Sequence, residues 1–194
     1  QAISHVAPAA VESQLGNTDL AISVAEEAFE TGRGFLGEDH AFSEIFALYP
    51  PRALDLAGQG EEAAQLHQVA IDRLRDEGRG AGYFYARHLA DLAMIRSRQG
   101  RLEEGVQQLT EALAVFRNVL GETSQRIVYC QIQLAILQRV KGNYDEAVRL
   151  LQDTVKICET LEVDGFGNTN WCRGVLSKTL ELQEEAADDD SGSE

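Results

Sequence analysis

Apolar and polar residues follow each other along this chain with the period of α-helices. Before Gly100 the apolar positions include Leu89, Leu92 and Ala93, and the same three- and four-residue spacing recurs before Gly142 and after both glycines. The pattern predicts one helix before and one helix after each glycine. Glycine suits the end of the first helix because it adopts a left-handed backbone conformation without steric penalty.

The helix, glycine, helix pattern repeats with a constant period of 42 residues. One column of the repeat contains only glycine: Gly16, Gly58, Gly100 and Gly142. Five residues later a second column contains only small residues: Ala21, Ala63, Gly105 and Ala147. A small side chain there lets the second helix cross close to the first. The sequence therefore predicts a repeated helical hairpin.

Two prolines interrupt the pattern in the first half of the chain. Pro8 and Pro50 share a column in which the later repeats have Leu92 and Leu134. Proline inside a helix costs about 3 kcal/mol and removes a hydrogen-bond donor. We therefore expect the first helix of repeats one and two to be kinked or split.

The motif G-x-[YL]-x-E-[AG], with Leu-Ala seven and eight residues before the glycine, resembles the tetratricopeptide repeat over residues 16–160. The 42-residue unit and the segments "LGEDH" (36–40) and "LGETS" (120–124) resemble the longer repeats of kinesin light chains. The resemblance implies an all-α fold: a right-handed α-solenoid of about four helical hairpins plus a C-terminal capping helix.

The predicted array covers residues 1–184 and is followed by an acidic tail, 186–194. Its hairpins are predicted at about 1–34, 41–77, 83–119 and 124–162, and its capping helix at 168–185. Trp171, Val175 and Leu182 are candidates to cover the apolar face of the last hairpin, and a platform for a ligand is their alternative role. The tail lacks apolar residues to bury, so we expect it to be disordered.

Charge and cysteine content limit the classes of partner and compartment. The formal net charge is −15, and the segment from Glu181 onward has seven acids and no base. Such a chain disfavours nucleic acid and anionic membranes as partners. Three cysteines without a CxxC pair argue against a disulfide framework and a zinc site, which favours a reducing compartment, the cytoplasm or an organelle matrix. The first residue is Gln rather than Met, which favours an excised domain or a processed product.

The sequence lacks motifs that would indicate catalysis or cofactor binding. The glycine-rich stretches 32–37 and 78–82 lack the Lys-Ser/Thr ending of a phosphate loop. Asn143, Asp145 and Glu146 fit an acidic helix start better than a calcium loop. None of the four histidines belongs to an HExxH motif: His5, His40, His67 and His88. We predict a non-catalytic protein without cofactor or metal.

A partner would bind along the first helices of the hairpins, which form the inner wall in the family that this chain resembles. Helical spacing from the column glycine selects six candidate groove residues: Arg52, Arg87, Met94, Tyr129, Ile136 and Arg139. Arg98 and Ile132 are expected to border the same groove. Arginine offers forked donors to carboxylates, and Met and Tyr supply adaptable apolar contact. The prediction is an adaptor, scaffold or regulatory subunit that binds a peptide or protein segment with acidic and apolar residues.

Two other readings stay open at this stage. The array could be a structural or self-associating subunit, a possible homo-oligomer, that packs through apolar edges such as 42–51, where the proline break would expose Phe42, Phe46 and Tyr49. Ion pairing with neighbouring Asp and Glu is the alternative role of each candidate arginine. An enzyme would need a convergent polar pocket, which the sequence does not supply.

Overall fold

The computed structural model describes residues 18–37, 41–162 and 169–191. These residues form nine α-helices and no strand. The chain divides into two compact units, Gln1–Gln99 and Gly100–Glu194. The helices of the first unit are α1 (Thr18–Leu36), α2 (Ala41–Phe46), α3 (Tyr49–Leu56), α4 (Gly60–Asp76) and α5 (Tyr83–Arg98). Those of the second unit are α6 (Leu102–Leu120), α7 (Gln125–Val140), α8 (Tyr144–Glu162) and α9 (Thr169–Ser191).

Within each unit, helices that follow one another in sequence pack side by side. In the first unit α1 contacts α2 and α3, α3 contacts α4, and α4 contacts α5. In the second unit α6 contacts α7, α7 contacts α8, and α9 packs on α8 with a smaller contact to α7. The unit boundary lies within the predicted hairpin 83–119, and the grouping of the helices into hairpins stays a prediction.

The prolines split the first helix of the second repeat, as the sequence predicts. α2 ends at Phe46, and α3 begins at Tyr49 with Pro50 in its first turn, where the missing N–H has no helical partner to lose. Continuing α2 would bring the Pro50 ring against the carbonyl of Phe46, four residues earlier. Pro8 lies outside the described residues.

The apolar edge at 42–51 is more buried than the sequence suggested. Phe46 is 3% exposed, so the expectation that the proline break exposes it is wrong. Its ring packs where α1 has Gly32: a Cβ atom at position 32 would lie 2.3 Å from Phe46 Cδ2. Tyr49 is half-buried, with its ring centroid 6.4 Å from that of Phe46. The side chain of Phe42 lies outside the described part of the chain.

The column glycines form the helix ends that the repeat predicts. Gly58 and Gly142 have φ angles of 79° and 83°, a left-handed backbone that other residues adopt at a cost. The N–H of Asn143 donates to the carbonyl of Gln138 at 2.9 Å, and the N–H of Gly142 donates to that of Arg139 at 2.9 Å. These bonds satisfy carbonyls that the end of α7 would otherwise leave without partners.

The column of small residues lies in the core of both units. Ala63 and Ala147 are 0% exposed and Gly105 is buried, in agreement with the predicted close crossing of helices. In the second unit Ala147 belongs to an apolar cluster that includes Leu151, Cys158 and Cys172. Gly16 and the side chain of Ala21 lie outside the described residues.

The closing helix is longer than predicted. α9 continues to Ser191, so residues 186–191 are helical where we predicted disordered tail. Ala186 and Ala187 are strong helix formers that extend the helix beyond its apolar part. Gln183 Nε2 also donates to Asp145 Oδ1 at 2.6 Å, which ties this region of α9 to the start of α8. Residues 192–194 lie outside the described chain.

Candidate functional site

The candidate groove residues of the first unit are largely engaged within the protein. Arg87 is 8% exposed, and its Nε donates to Asp91 Oδ2 at 3.0 Å. Arg98 forms an ion pair with Asp55 on α3, although its side chain is 53% exposed. Met94 is half-buried, and Arg52 is exposed on α3. Arg52 and Arg98 are therefore exposed, while Arg87 has limited access to a partner.

In the second unit three of the four candidates border the surface and one does not. Ile132 is 0% exposed inside the apolar cluster, which corrects its assignment to the groove. The prediction failed because the Ile132 side chain packs into the apolar cluster and does not face the surface. Ile136 is half-buried against the same cluster, and the Nη1 of Arg139 donates to Thr179 Oγ1 of α9 at 3.4 Å.

Tyr129, the fourth candidate, lines a cavity of about 480 Å³ in the second unit. The cavity lies where the start of α7 meets the end of α8 and the start of α9. We call it the Trp171 cavity, and its lining residues are Ser124, Gln125, Arg126, Val128, Tyr129, Leu161 and Trp171. Its volume is in the range of pockets that hold ligands or side chains of a partner.

Aromatic surface and positive charge meet in the Trp171 cavity. Trp171 is 46% exposed and Tyr129 is 36% exposed, although buried aromatic rings are the norm for residues of this size. Arg126 adds a guanidinium group at the second position of α7. Together they can cover an apolar side chain and pair with a carboxylate.

Local structure fixes the position of the cavity wall on α7. Ser124 is the N-cap of α7, and its hydroxyl accepts a hydrogen bond from the N–H of Ile127 at 3.3 Å. This cap sets where the helix begins and therefore where Arg126 and Tyr129 stand. Sequence reasoning missed Arg126 and placed Trp171 in the apolar cover. The "LGETS" segment just before α7 was the available signal, since it locates the start of the helix.

The first unit contains a buried charge cluster beside a smaller cavity of about 130 Å³, which is lined by Phe29, Arg33, Ser43, Glu44, Ala47 and Arg73. Glu44 is 1% exposed and accepts hydrogen bonds from Arg73 Nη2 at 2.8 Å and from Arg79 Nη1 at 2.8 Å. The hydrogen bond to Glu44 raises the pKa of Arg73. This cluster joins α2 to α4 and the turn after it, and it has the character of a structural ion pair.

Two histidines that lie 21 residues apart meet in the core of the first unit. The Nδ1 atoms of His67 on α4 and His88 on α5 are 2.9 Å apart, so one ring donates to the other. Burial lowers the pKa of His67 to about 4 and that of His88 to about 3, which keeps both rings neutral at pH 7. Among the described residues, His88 Nε2 is buried without a hydrogen-bond partner.

The described residues offer no ready ligand set for a metal. No group of three or more His, Cys, Asp or Glu side chains within residues 18–37, 41–162 and 169–191 is arranged to hold a metal ion. In the same part of the chain, no helix has the length and apolar character needed to cross a membrane.

Comparison with known sequences finds the repeat in the centre of the chain. Residues 84–160 match the family model described as tetratricopeptide repeat. The clustered mitochondria protein homolog of Xenopus tropicalis is 34% identical over 75 residues. That match covers 39% of this chain but only 6% of the length of the relative.

Solved structures share the fold at low sequence identity. BtubC (BKLC) from P. vanneervenii superimposes with a TM-score of 0.70 at 16% identity, over 92% of this chain and 78% of that one. The TPR-like repeats of a putative kinesin light chain from Podosopora anserina give a TM-score of 0.66 at 18% identity, over 94% and 95% of the two chains. The apo form of RapI gives 0.69 at 12% identity, over 95% and 69%.

These likenesses show the fold, an all-α solenoid of helical repeats. Repeats of this kind serve in general as non-catalytic modules for protein interaction. Residues 84–160 therefore contain tetratricopeptide repeats, and the chain shares the all-α solenoid fold of these solved structures.

Proposed function

We propose that this chain is a non-catalytic adaptor, scaffold or regulatory subunit that binds a protein segment with apolar and acidic side chains. The observation that carries the proposal is the Trp171 cavity, which combines two exposed aromatic rings with a guanidinium group. An apolar side chain of the partner would enter between Trp171 and Tyr129. A neighbouring carboxylate would pair with Arg126.

The positive charge of Arg126 favours an acidic segment at this surface, although the net negative charge of the chain disfavours one elsewhere. The protein as a whole has a formal charge of −15, so a generally acidic partner would be repelled except near arginines. A short acidic and apolar segment, directed to Arg126, satisfies both conditions. Arg139, thirteen residues further along α7, places a second guanidinium group on the same helix, next to α9.

The other groove candidates differ in how accessible they are to a partner. Arg52 and Met94 of the first unit stay candidates for contact with a partner. Arg87 and Arg98 stay candidates only if the partner can compete with Asp91 and Asp55. A charge reversal at Arg87 would put two carboxylates together in a buried site, so it would test stability rather than binding.

Peptide arrays test the proposal directly. We expect the purified chain to bind peptides that contain aliphatic or aromatic residues next to Asp or Glu, and to lose binding when those acids become Lys. Arg126→Glu should remove binding, and it preserves the start of α7 because an acid there complements the helix dipole. Arg149→Glu on α8, an exposed position outside the cavity, is the matched control and should bind normally. Equal binding by both variants would refute the proposed site.

We also propose a compartment for this protein and a role without catalysis. We place the chain in a reducing compartment, since its three cysteines are buried within helices and do not form a disulfide framework. We assign it no reaction of its own, because the described residues that line the Trp171 cavity include no carboxylate or imidazole to serve as a general base.

A further inference from the structure

Two cysteine thiols face each other between the last two helices of the second unit. Cys158 on α8 and Cys172 on α9 are both 0% exposed, and their Sγ atoms are 2.7 Å apart. That separation is shorter than the van der Waals contact of two sulfur atoms and approaches the disulfide bond length of about 2.05 Å. Both residues belong to one apolar cluster, so the packing of α8 and α9 fixes their relative position.

We propose that Cys158 and Cys172 are a redox modification site at which a reversible disulfide joins α8 to α9. The bond needs little movement of the helices because the two sulfur atoms already lie side by side. A reducing compartment keeps both residues as thiols, and the disulfide forms when small disulfides such as oxidised glutathione accumulate. The inference does not rest on the proposed function.

The reaction balances as two thiol–disulfide exchanges. One cysteine loses its proton and attacks a sulfur of the small disulfide, which forms a mixed disulfide and releases one small thiol that takes up a proton. The second cysteine then loses its proton, attacks the mixed disulfide and releases the second small thiol. The two cysteines are oxidised by two electrons, and the small disulfide is reduced to two thiols.

The oxidant can reach the site through the first turn of α9. Cys172 is the fourth residue of this helix, and terminal turns open more readily than helix interiors. Opening that turn would present the Cys172 thiol to solvent without unfolding the cluster around Leu151. We therefore expect Cys172 to react first and Cys158 to close the bond.

The disulfide would link residues that are neighbours of the Trp171 cavity. Trp171 directly precedes Cys172, and Leu161 stands one helical turn after Cys158. The new bond therefore joins the α8 wall of the cavity to the α9 wall. It also removes conformational freedom from the unfolded chain by closing a loop between positions 14 apart.

Mass spectrometry of the wild-type chain tests the proposal. The reduced protein is incubated with oxidised glutathione, denatured in acid, and alkylated at neutral pH without reductant. We expect one alkylated cysteine, Cys130, a mass lower by two hydrogen atoms before alkylation, and a peptide pair linked through Cys158 and Cys172. Three alkylated cysteines, or glutathione adducts that persist without the linked pair, would overturn it.

Variants keep the result specific to this pair. Cys130→Ser removes the third buried thiol and should still form the disulfide. Cys172→Ser should form no internal link and should leave both remaining cysteines open to alkylation or glutathione capture. A link from Cys158 to Cys130 in that variant, formed at the wild-type rate, would show that the exchange does not depend on the geometry described above.

Thermal unfolding supplies the second readout. Oxidised wild-type protein should unfold at a higher midpoint than reduced protein, and reductant should restore the lower value. Cys172→Ser should show no shift between the two conditions. An oxidised wild-type midpoint equal to or below the reduced one would mean that the folded state does not favour the bond, which contradicts the proposal.

Discussion

Gly32 in α1 is a residue whose lack of a side chain makes room for an aromatic ring. An added Cβ would lie 2.3 Å from Phe46 Cδ2, whereas at Gly34, two residues later, no atom lies within 4 Å. We predict that Gly32→Ala lowers the free energy of unfolding by about 1–3 kcal/mol through overpacking. Gly34→Ala should leave it unchanged or raise it by up to about 1 kcal/mol. Urea unfolding followed by circular dichroism compares the two, and equal effects would contradict the packing of Phe46.

The histidine pair makes the stability of the first unit depend on pH. Both pKa values are depressed in the folded state, to about 4 for His67 and about 3 for His88, against about 6.5 in the unfolded chain. Well above pH 6.5 both states are neutral and the histidines make no pH-dependent contribution to stability. Below it the unfolded state takes up protons first, so stability falls by about 2 kcal/mol per histidine between pH 7 and pH 5.

A double variant isolates this effect. His67→Leu with His88→Leu removes both titrating rings and should lose markedly less stability over the same pH interval than the wild type. Urea titrations at pH 7, 6 and 5 would measure the difference. Parallel pH dependence in both proteins would show that the rings are accessible to protons in the folded state.

At the scale of single helices, two glycines of the second unit should respond in opposite directions. Gly142 ends α7 with a φ of 83°, and an alanine there is strained by about 1–2 kcal/mol. Gly174 lies inside α9 with no atom within 4 Å of an added Cβ, so Gly174→Ala should stabilise the helix by up to about 1 kcal/mol. The thermal midpoint measures both. A neutral Gly142→Ala would remove the case for a left-handed helix end.

Local sequence predicts the positions of the helices, but it does not predict the contacts between them. The apolar period and the column glycines predict where α5, α7 and α8 lie, because helix ends depend on nearby residues. The proline pair likewise predicts the break before α3. By contrast, the packing of Phe46 on Gly32 joins residues 14 apart in two different helices, and no short-range pattern encodes it. The hydrogen bond from Gln183 on α9 to Asp145 likewise joins residues that are 38 positions apart in sequence.

At the scale of the whole chain, the sequence predicted a helix that carries the candidate site but not which residues line it. Spacing within the repeat selected Tyr129, which lines the cavity, whereas Ile132, which was expected to border the groove, is fully buried one turn along α7. The two side chains differ in direction by only a few tens of degrees around the helix axis. Residue spacing alone does not show which of them faces the surface. Trp171 was assigned to the core because its exposure depends on how α9 packs against α8.

The arginines illustrate a second limit of sequence reasoning. Arg87 pairs with Asp91 four residues along the same helix, a spacing visible in the sequence. Arg98 pairs with Asp55, which is 43 residues away and close only in the folded unit. Which arginines stay available to a partner is therefore a property of the fold.

Trp171 is the only tryptophan in the chain, so its fluorescence reports on the proposed binding cavity alone. The most direct measurement is a titration of the best array peptide against this emission, with affinity checked by calorimetry. We predict a saturable shift for the wild type and at least about a tenfold loss of affinity in Arg126→Glu, as expected when a charge-assisted hydrogen bond is removed. Tight binding without a change in Trp171 emission, or with equal affinity in Arg126→Glu, would contradict the account.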